Sequence, residues 1–189
     1  MHQLIVLGML HALLVASPGA HADPTLWALL QKGGQVVLIR HAVTDPGVGD
    51  PPGFRLDDCR TQRNLSDAGR YEAQLLGTSF KEHRIPIARV RSSPWCRCLE
   101  TARIAFGVEA QTDAALGNLF GRGENSEPQR TAFRRLVATA PKAGNLVLIT
   151  HGSTTAAFTG INQGTAEMVV VTPEGGGNYK VAGRIPLTR

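Results

Sequence analysis

The sequence predicts an α/β three-layer sandwich with a mostly parallel central sheet. Three observations lead there. Short apolar runs rich in β-branched residues alternate with helix-periodic segments along most of the chain. Two of those runs, Val36-Val37-Leu38-Ile39 and Leu146-Val147-Leu148-Ile149, are unbroken, as in strands covered on both faces. A length of 189 residues with 42% hydrophobic but only 5% aromatic content suits one domain whose core is built from Val, Leu, Ile and Ala.

The first segment reads as an address rather than as part of the fold. Residues 4–16 are apolar apart from Gly8 and His11, Ser17-Pro18-Gly19 stops the run, and Ala20-His21-Ala22 has the small residues of a signal-peptidase site. The run is short for a membrane span, and no Lys or Arg precedes it. The expectation is a signal peptide over residues 1–22, a domain over 23–189, and a periplasmic or secreted protein with no stable membrane anchor after cleavage. Export leaves His41, His83 and His151 as the histidines of the mature chain.

The domain then unfolds element by element. Residues 24–31 read as a short helix with Asp23 as N-cap and Pro24 at the first position, ended by Gly33-Gly34. Residues 35–40 are the first strand. Prolines and glycines packed around Asp50 make 45–53 a loop over the strand ends. Ser66 caps a helix whose apolar residues Ala68, Tyr71, Leu75, Leu76 and Phe80 keep helical spacing to about residue 82. Residues 87–92 form a second strand, and Ser93-Pro94 begins a helix that Gly107 stops. Residues 111–126 read as loop, 127–140 as helix and 145–150 as a strand like the first, followed by a helix opening near Thr154. Residues 167–172 and 178–185 close the chain around the Gly175-Gly176-Gly177 turn.

Two of these strands finish on histidine, Arg40-His41 and Thr150-His151, and strand ends in an open parallel sheet face one crevice. A third strand leads into the helix that carries Arg97 in its first turn, where a helix N-terminus adds N–H donors. Two histidines, two arginines and a helix N-terminus make an anion pocket. A neutral imidazole can attack a phosphoryl group directly, with the charge spread onto fixed cations and no metal or other cofactor required. The leaving oxygen then needs an acid.

The motifs around these residues resemble those of the histidine phosphatase (phosphoglycerate mutase-like) superfamily. Arg40-His41-Ala42-Val43-Thr44 is similar to its Arg-His-Gly/Ala signature, and Leu65-Ser66-Asp67-Ala68-Gly69 to its Leu-Ser/Thr-x-x-Gly helix start. The stretch from Ser93 through Arg97 to Thr101-Ala102 is similar to its second motif, and His151-Gly152 to its late motif. The resemblance implies a phosphoglycerate mutase-like fold. It makes His41 the phosphorylated nucleophile, Arg40, Arg97 and His151 the holders of the phosphoryl oxygens, and Thr44 a further substrate contact. Ser93 and Thr101 it assigns to shaping the loop and helix.

One departure stands out. Where many members carry Leu-x-Glu, with the glutamate as proton donor, this chain has Leu116-Gly117-Asn118. Glu124 is the first candidate to replace it, with Glu127 and Asp113 behind. The long insertions of the mutases are missing, which favours hydrolysis over phosphate transfer. The reading is an exported, metal-independent phosphohydrolase acting on small phosphomonoesters or phosphorylated envelope sugars through a phosphohistidine on His41. A small phosphohistidine phosphatase, or a non-catalytic phospho-ligand-binding protein of the same fold, are the alternatives.

Charge and cysteines narrow the partners. The net charge is +5, and 16 of the 20 basic residues are arginine, whose planar fork suits phosphate oxygens. No basic stripe with interleaved aromatics is present, so nucleic acid is not an expected partner; a small phosphorylated substrate is. The oligomeric state is not specified. Of three cysteines, Cys96 and Cys98 are too close for easy local pairing, and Cys59 with Cys96 or Cys98 is the bridge expected in an oxidising compartment. Cys-x-Cys without a second ligand pair does not make a metal site.

Overall fold

The computed structural model describes residues 24–120 and 126–188. The expected signal peptide, the expected N-cap Asp23 of the first helix, and Glu124 lie outside the described residues. A six-stranded sheet runs through the domain in the order β3-β2-β4-β1-β5-β6. Its strands are β1 (Val36–Arg40), β2 (Ile87–Ser92), β3 (Gln111–Thr112), β4 (Asn145–Thr150), β5 (Met168–Gly175) and β6 (Asn178–Ile185). The pairs β1·β4, β2·β4 and β2·β3 are parallel, whereas β5 is antiparallel to both β1 and β6. The sheet is therefore mostly parallel, with an antiparallel hairpin on one flank.

Side chains along β1 alternate between two buried layers, as the pleat requires. Val37 and Ile39 pack with α1 (Pro24–Lys32), α2 (Asp67–Glu82) and α3 (Cys96–Phe106) through Leu30, Leu76, Phe80 and Ala102. Val36 and Leu38 face α4 (Glu127–Val137) and α5 (Gly152–Thr159) through Phe133, Val137 and Phe158. Both faces are covered, which explains the unbroken apolar runs. Among the described residues no helix is long and apolar enough to cross a membrane.

Several boundaries differ from expectation. α3 starts at Cys96, with Trp95 still extended at φ −69°, ψ 136°; the residue before Pro94 is kept out of helical geometry, and Ser93 is held elsewhere by its side chain. The stretch read as loop contains β3 and a 3₁₀ turn, Ala114–Leu116. β3 consists of two exposed polar residues paired only to Arg91 and Ser92, so it leaves no hydrophobic pattern. α4 stops at Val137, before Pro141, and α5 starts immediately after His151.

α2 is seated by contacts that also shape the chain beyond β1. Ser66 Oγ accepts the Gly69 N–H at 3.2 Å, the N-cap bond expected. The buried Glu72 accepts the Val43 N–H at 2.9 Å and the Thr165 hydroxyl at 3.1 Å. Gly69 lies so close to this segment that a Cβ would stand 1.9 Å from the Val43 carbonyl oxygen. Gly69→Ala is accordingly expected to lower stability by about 2–3 kcal/mol, the overpacking range, and to shift the 41–44 segment. Denaturant melts and the Michaelis constant check this; an unchanged melt would refute it.

Candidate active site

The carboxyl ends of β1, β2 and β4 open on one pocket of about 410 Å³. Arg40, His41, Arg63, Arg97, Asn118 and His151 line it, with Gly47-Val48-Gly49 and Phe120 at its rim and Asn162 and Gln163 on another wall. The four residues expected to converge, Arg40, His41, Arg97 and His151, do so.

His41 is only 4% exposed and hangs from the end of β1, its N–H bonded to the Thr150 carbonyl at 3.0 Å. Its Nδ1 lies 2.8 Å from the Ala42 carbonyl. A carbonyl can only accept, so Nδ1 carries the proton and the lone pair sits on Nε2. Burial pushes the His41 pKa from 6.5 down to about 3; the Ala42 bond opposes this and the Arg97, Arg40 and Arg63 charges add to it. The ring is thus neutral and nucleophilic at ordinary pH.

His151, on the end of β4, meets His41 edge to face at a centroid distance of 5.3 Å. Ser93 Oγ lies 2.8 Å from its Nε2, and Arg97 Nη2 lies 3.5 Å from its Nδ1. Its pKa too is held well below the ordinary value, by burial first and then by His41, Arg97 and Arg40. Ser93 therefore does more than shape a loop: it orients the second imidazole. Thr101 has the structural part expected, accepting the Ala42 N–H at 3.1 Å and donating to the Arg97 carbonyl at 2.7 Å.

The guanidinium groups surround the imidazoles. Arg40 donates through Nη1 to the Gln163 carbonyl at 2.8 Å, and burial lowers its pKa against the opposing charge of Glu72. Arg63 donates to the Gly47 carbonyl, and burial lowers its pKa too, with Arg97 adding to the effect. Arg97 is 1% exposed and pairs with Asp50. The Nε atoms of Arg40, Arg63 and Arg97 are all buried without a hydrogen-bond partner in the protein. Three guanidinium groups lining one pocket make a positive cradle for a multiply charged oxyanion.

Other expectations are corrected. Thr44 is not among the residues that line the pocket; its backbone bridges to Leu65, just ahead of α2. The N-terminus of α3 is used internally, with the Cys96 N–H donating to Gln62 Oε1 at 3.0 Å. The helix start on the pocket is that of α5, through Gly152 and Ser153. Asp113 pairs with Arg91 at 3.0 Å and Glu127 with Arg134 at 3.2 Å, and neither lines the pocket. Asn118 does line the pocket and accepts the Ser153 hydroxyl at 2.6 Å. Among the described lining residues none carries a carboxyl group.

Sequence reasoning missed Arg63, Asp50 and Gln163. Arg63 sits two residues before Leu65, beside a motif already singled out. Asp50 is one acid amid turn formers, which signals a shaped loop but names no partner. Gln163 donates to the Leu38 and Glu167 carbonyls at 2.8 Å, a role without a local pattern. Cys59 and Cys96 are joined in a disulfide with Cα atoms 5.7 Å apart, and Cys98 is the free, buried thiol. Among the described residues no group of three or more His, Cys, Asp or Glu could hold a metal ion.

Comparison with known proteins agrees with this geometry. The family model for the histidine phosphatase superfamily (branch 1) matches residues 36–133, a little over half of the chain. No curated protein sequence matches. Among solved structures, the protein histidine phosphatase SixA complexed with tungstate is similar at a TM-score of 0.57 and 20% identity, over 80% of this chain and 96% of that one. An open-reading-frame product of Mycobacterium tuberculosis reaches 0.57 at 18% identity, over 81% and 97% of the two chains. A phosphoserine phosphatase mutant from Entamoeba histolytica in complex with phosphoserine reaches 0.53 at 13% identity, over 79% and 95%. At these identities the likeness is one of fold.

Proposed function

Because the chain belongs to the histidine phosphatase superfamily, branch 1, we propose that it is an exported phosphohydrolase that removes phosphoryl groups from small phosphomonoesters by way of a phosphohistidine on His41. The observation that carries this reading is the neutral His41 ring, its Nδ1 tied to Ala42, on the wall of a pocket that it shares with three arginines.

In the first step His41 Nε2 bonds to phosphorus as the bond to the leaving oxygen breaks. Arg40, Arg97 and His151, with Arg63 beside them, take up the charge on the equatorial oxygens. In the second step water attacks the phosphohistidine, the P–N bond breaks, and phosphate and neutral His41 are released. No step calls for a metal or other cofactor. Glu124, close in sequence to the rim, remains the candidate for proton donor. The apolar run of residues 4–16 followed by Ala20-His21-Ala22 and the Cys59–Cys96 disulfide support a periplasmic or secreted site of action.

That no described lining residue carries a carboxyl group favours a second reading for the substrate. A phosphoramidate such as phosphohistidine, or an acyl phosphate, has a leaving group that needs less protonation than an alkoxide. A rate series over leaving groups decides between the two. Under the second reading turnover falls steeply with rising leaving-group pKa, and Asn118→Glu recovers at least about tenfold on alkyl phosphates, the lower part of the range for general acid catalysis. A flat dependence in the wild type would place a working acid at the pocket.

Trapping tests the proposal as a whole. An acid-labile phosphoryl label on the wild type that His41→Ala lacks is the expected result. Failure of the purified protein both to label and to hydrolyse any activated phosphoester would refute it, and would leave a phospho-ligand-binding protein if phosphate still bound.

A further inference from the structure

We infer that Asp50 is the positioning residue that sets the phosphate-binding edge of Arg97, an inference that rests on the reading of Arg97 as a phosphoryl holder. A guanidinium offers two forks: an end formed by Nη1 and Nη2, and a side formed by Nε and Nη2. Asp50 takes the end, with Nη1 to Oδ1 at 2.6 Å and Nη2 to Oδ2 at 3.2 Å. The side fork remains: Nε is buried with no partner, and Nη2 lies 3.5 Å from His151 Nδ1, a ring on the pocket wall. Arg97 lines the pocket and Asp50 does not, so the carboxylate stands behind the guanidinium and away from the ligand.

Asp50 is itself fixed on all sides. It accepts the Arg63 N–H at 3.1 Å and the Trp95 indole N–H at 3.0 Å, and its side chain is only 4% exposed. Burial opposes its ionised form, but the bonds from Arg97, Arg63 and Trp95 prevail and hold its pKa below the ordinary value. Trp95 in turn packs edge-on against His151 at 5.1 Å. One carboxylate thus connects the two residues that flank His151 and anchors the loop whose Gly47-Val48-Gly49 forms the rim.

The opposite role, a carboxylate that competes with substrate for Arg97, predicts the opposite sign. Removing a negative charge near an anion site should tighten anion binding if charge or competition governs, and loosen it if orientation governs. The test is titration of the full mature protein with inorganic phosphate, by calorimetry, for wild type, Asp50→Asn, Arg97→Lys and the double variant. Lysine keeps the charge of Arg97 but has no fork to orient. Asp50→Asn is expected to weaken phosphate binding at least tenfold in the wild-type background and less than threefold in the Arg97→Lys background, with Asp50→Glu intermediate. Tighter binding by Asp50→Asn overturns the inference, as does an equal loss in both backgrounds, which would mark a general loosening of the loop. A wild type that binds no phosphate removes the phosphoryl-holder reading and this inference together. A wild type that binds phosphate but never turns over fails only the enzyme reading, and the cycle still decides the role of Asp50.

Discussion

Replacing His41 with asparagine is expected to lower turnover at least about ten-thousand-fold while phosphate binding persists, because removal of a covalent nucleophile leaves only what binding and charge stabilisation supply. The amide Nδ2 or Oδ1 occupies part of the ring's place but offers no nucleophilic lone pair on nitrogen. Stability should change in a direction that exposes the ring's protonation state. His41 titrates near 3 in the folded protein against 6.5 when unfolded, so between those values the unfolded chain binds more protons. Folding stability contributed by the neutral ring is therefore complete above about pH 6.5 and is lost as pH falls toward 3, by up to about 1.4 kcal/mol per pH unit. His151 adds a second dependence of the same sign. Denaturant melts at pH 7 and pH 5 should show a wide gap for the wild type and a narrower one for His41→Asn. An equal gap would mean that the folded ring takes up its proton at the same pH as in the unfolded chain, and would refute the depression of its pKa by burial.

Loss of the disulfide is the second large effect. Cys59 and Cys96 are 37 residues apart, and closing a loop of that length corresponds to about 3–4 kcal/mol of denatured-chain entropy. Cys59→Ser is expected to lower stability by that order. Its influence should reach the pocket, because Cys96 directly precedes Arg97 and Arg63 follows Cys59 closely, and both Arg97 and the Arg63 N–H donate to Asp50. Phosphate affinity should fall along with stability, and added phosphate should restore part of the melting temperature through linkage. A stability loss without any change in phosphate affinity would show that the bridge only shortens the unfolded chain. Reduction of the wild type should reproduce the variant in both respects.

The strands and helices that carry the site were legible for a physical reason. β1 and β4 are covered on both faces, and such strands must be apolar throughout, so Val36 to Ile39 and Leu146 to Ile149 stand out. Their terminal histidines then mark the strand ends where an open parallel sheet binds ligands. What was not legible belongs to pairings between segments far apart in sequence. Asp50 and Arg97 are 47 residues apart and Gln163 reaches the Leu38 carbonyl across 125; neither contact has a local pattern. Thr44 was assigned through the motif resemblance, yet its backbone pairs with Leu65 and it does not line the pocket. Asp113 and Glu127 were plausible acids by position alone, and their arginine partners occupy both.

Cys98 gives the molecule an internal reporter. Its sulfur is fully buried, 3.6 Å from His151 Nε2, and burial pushes its pKa up to about 12. With the other two cysteines bridged, it is the one thiol in the chain, and in the closed state it is both protonated and out of reach of reagents. Covalent modification at Cys98 therefore counts openings of the layer between α3 and β4, where the second imidazole is seated. A maleimide or Ellman's reagent added to the native protein would time those openings directly, and an oxyanion settled against Arg97 and His151 should slow the clock.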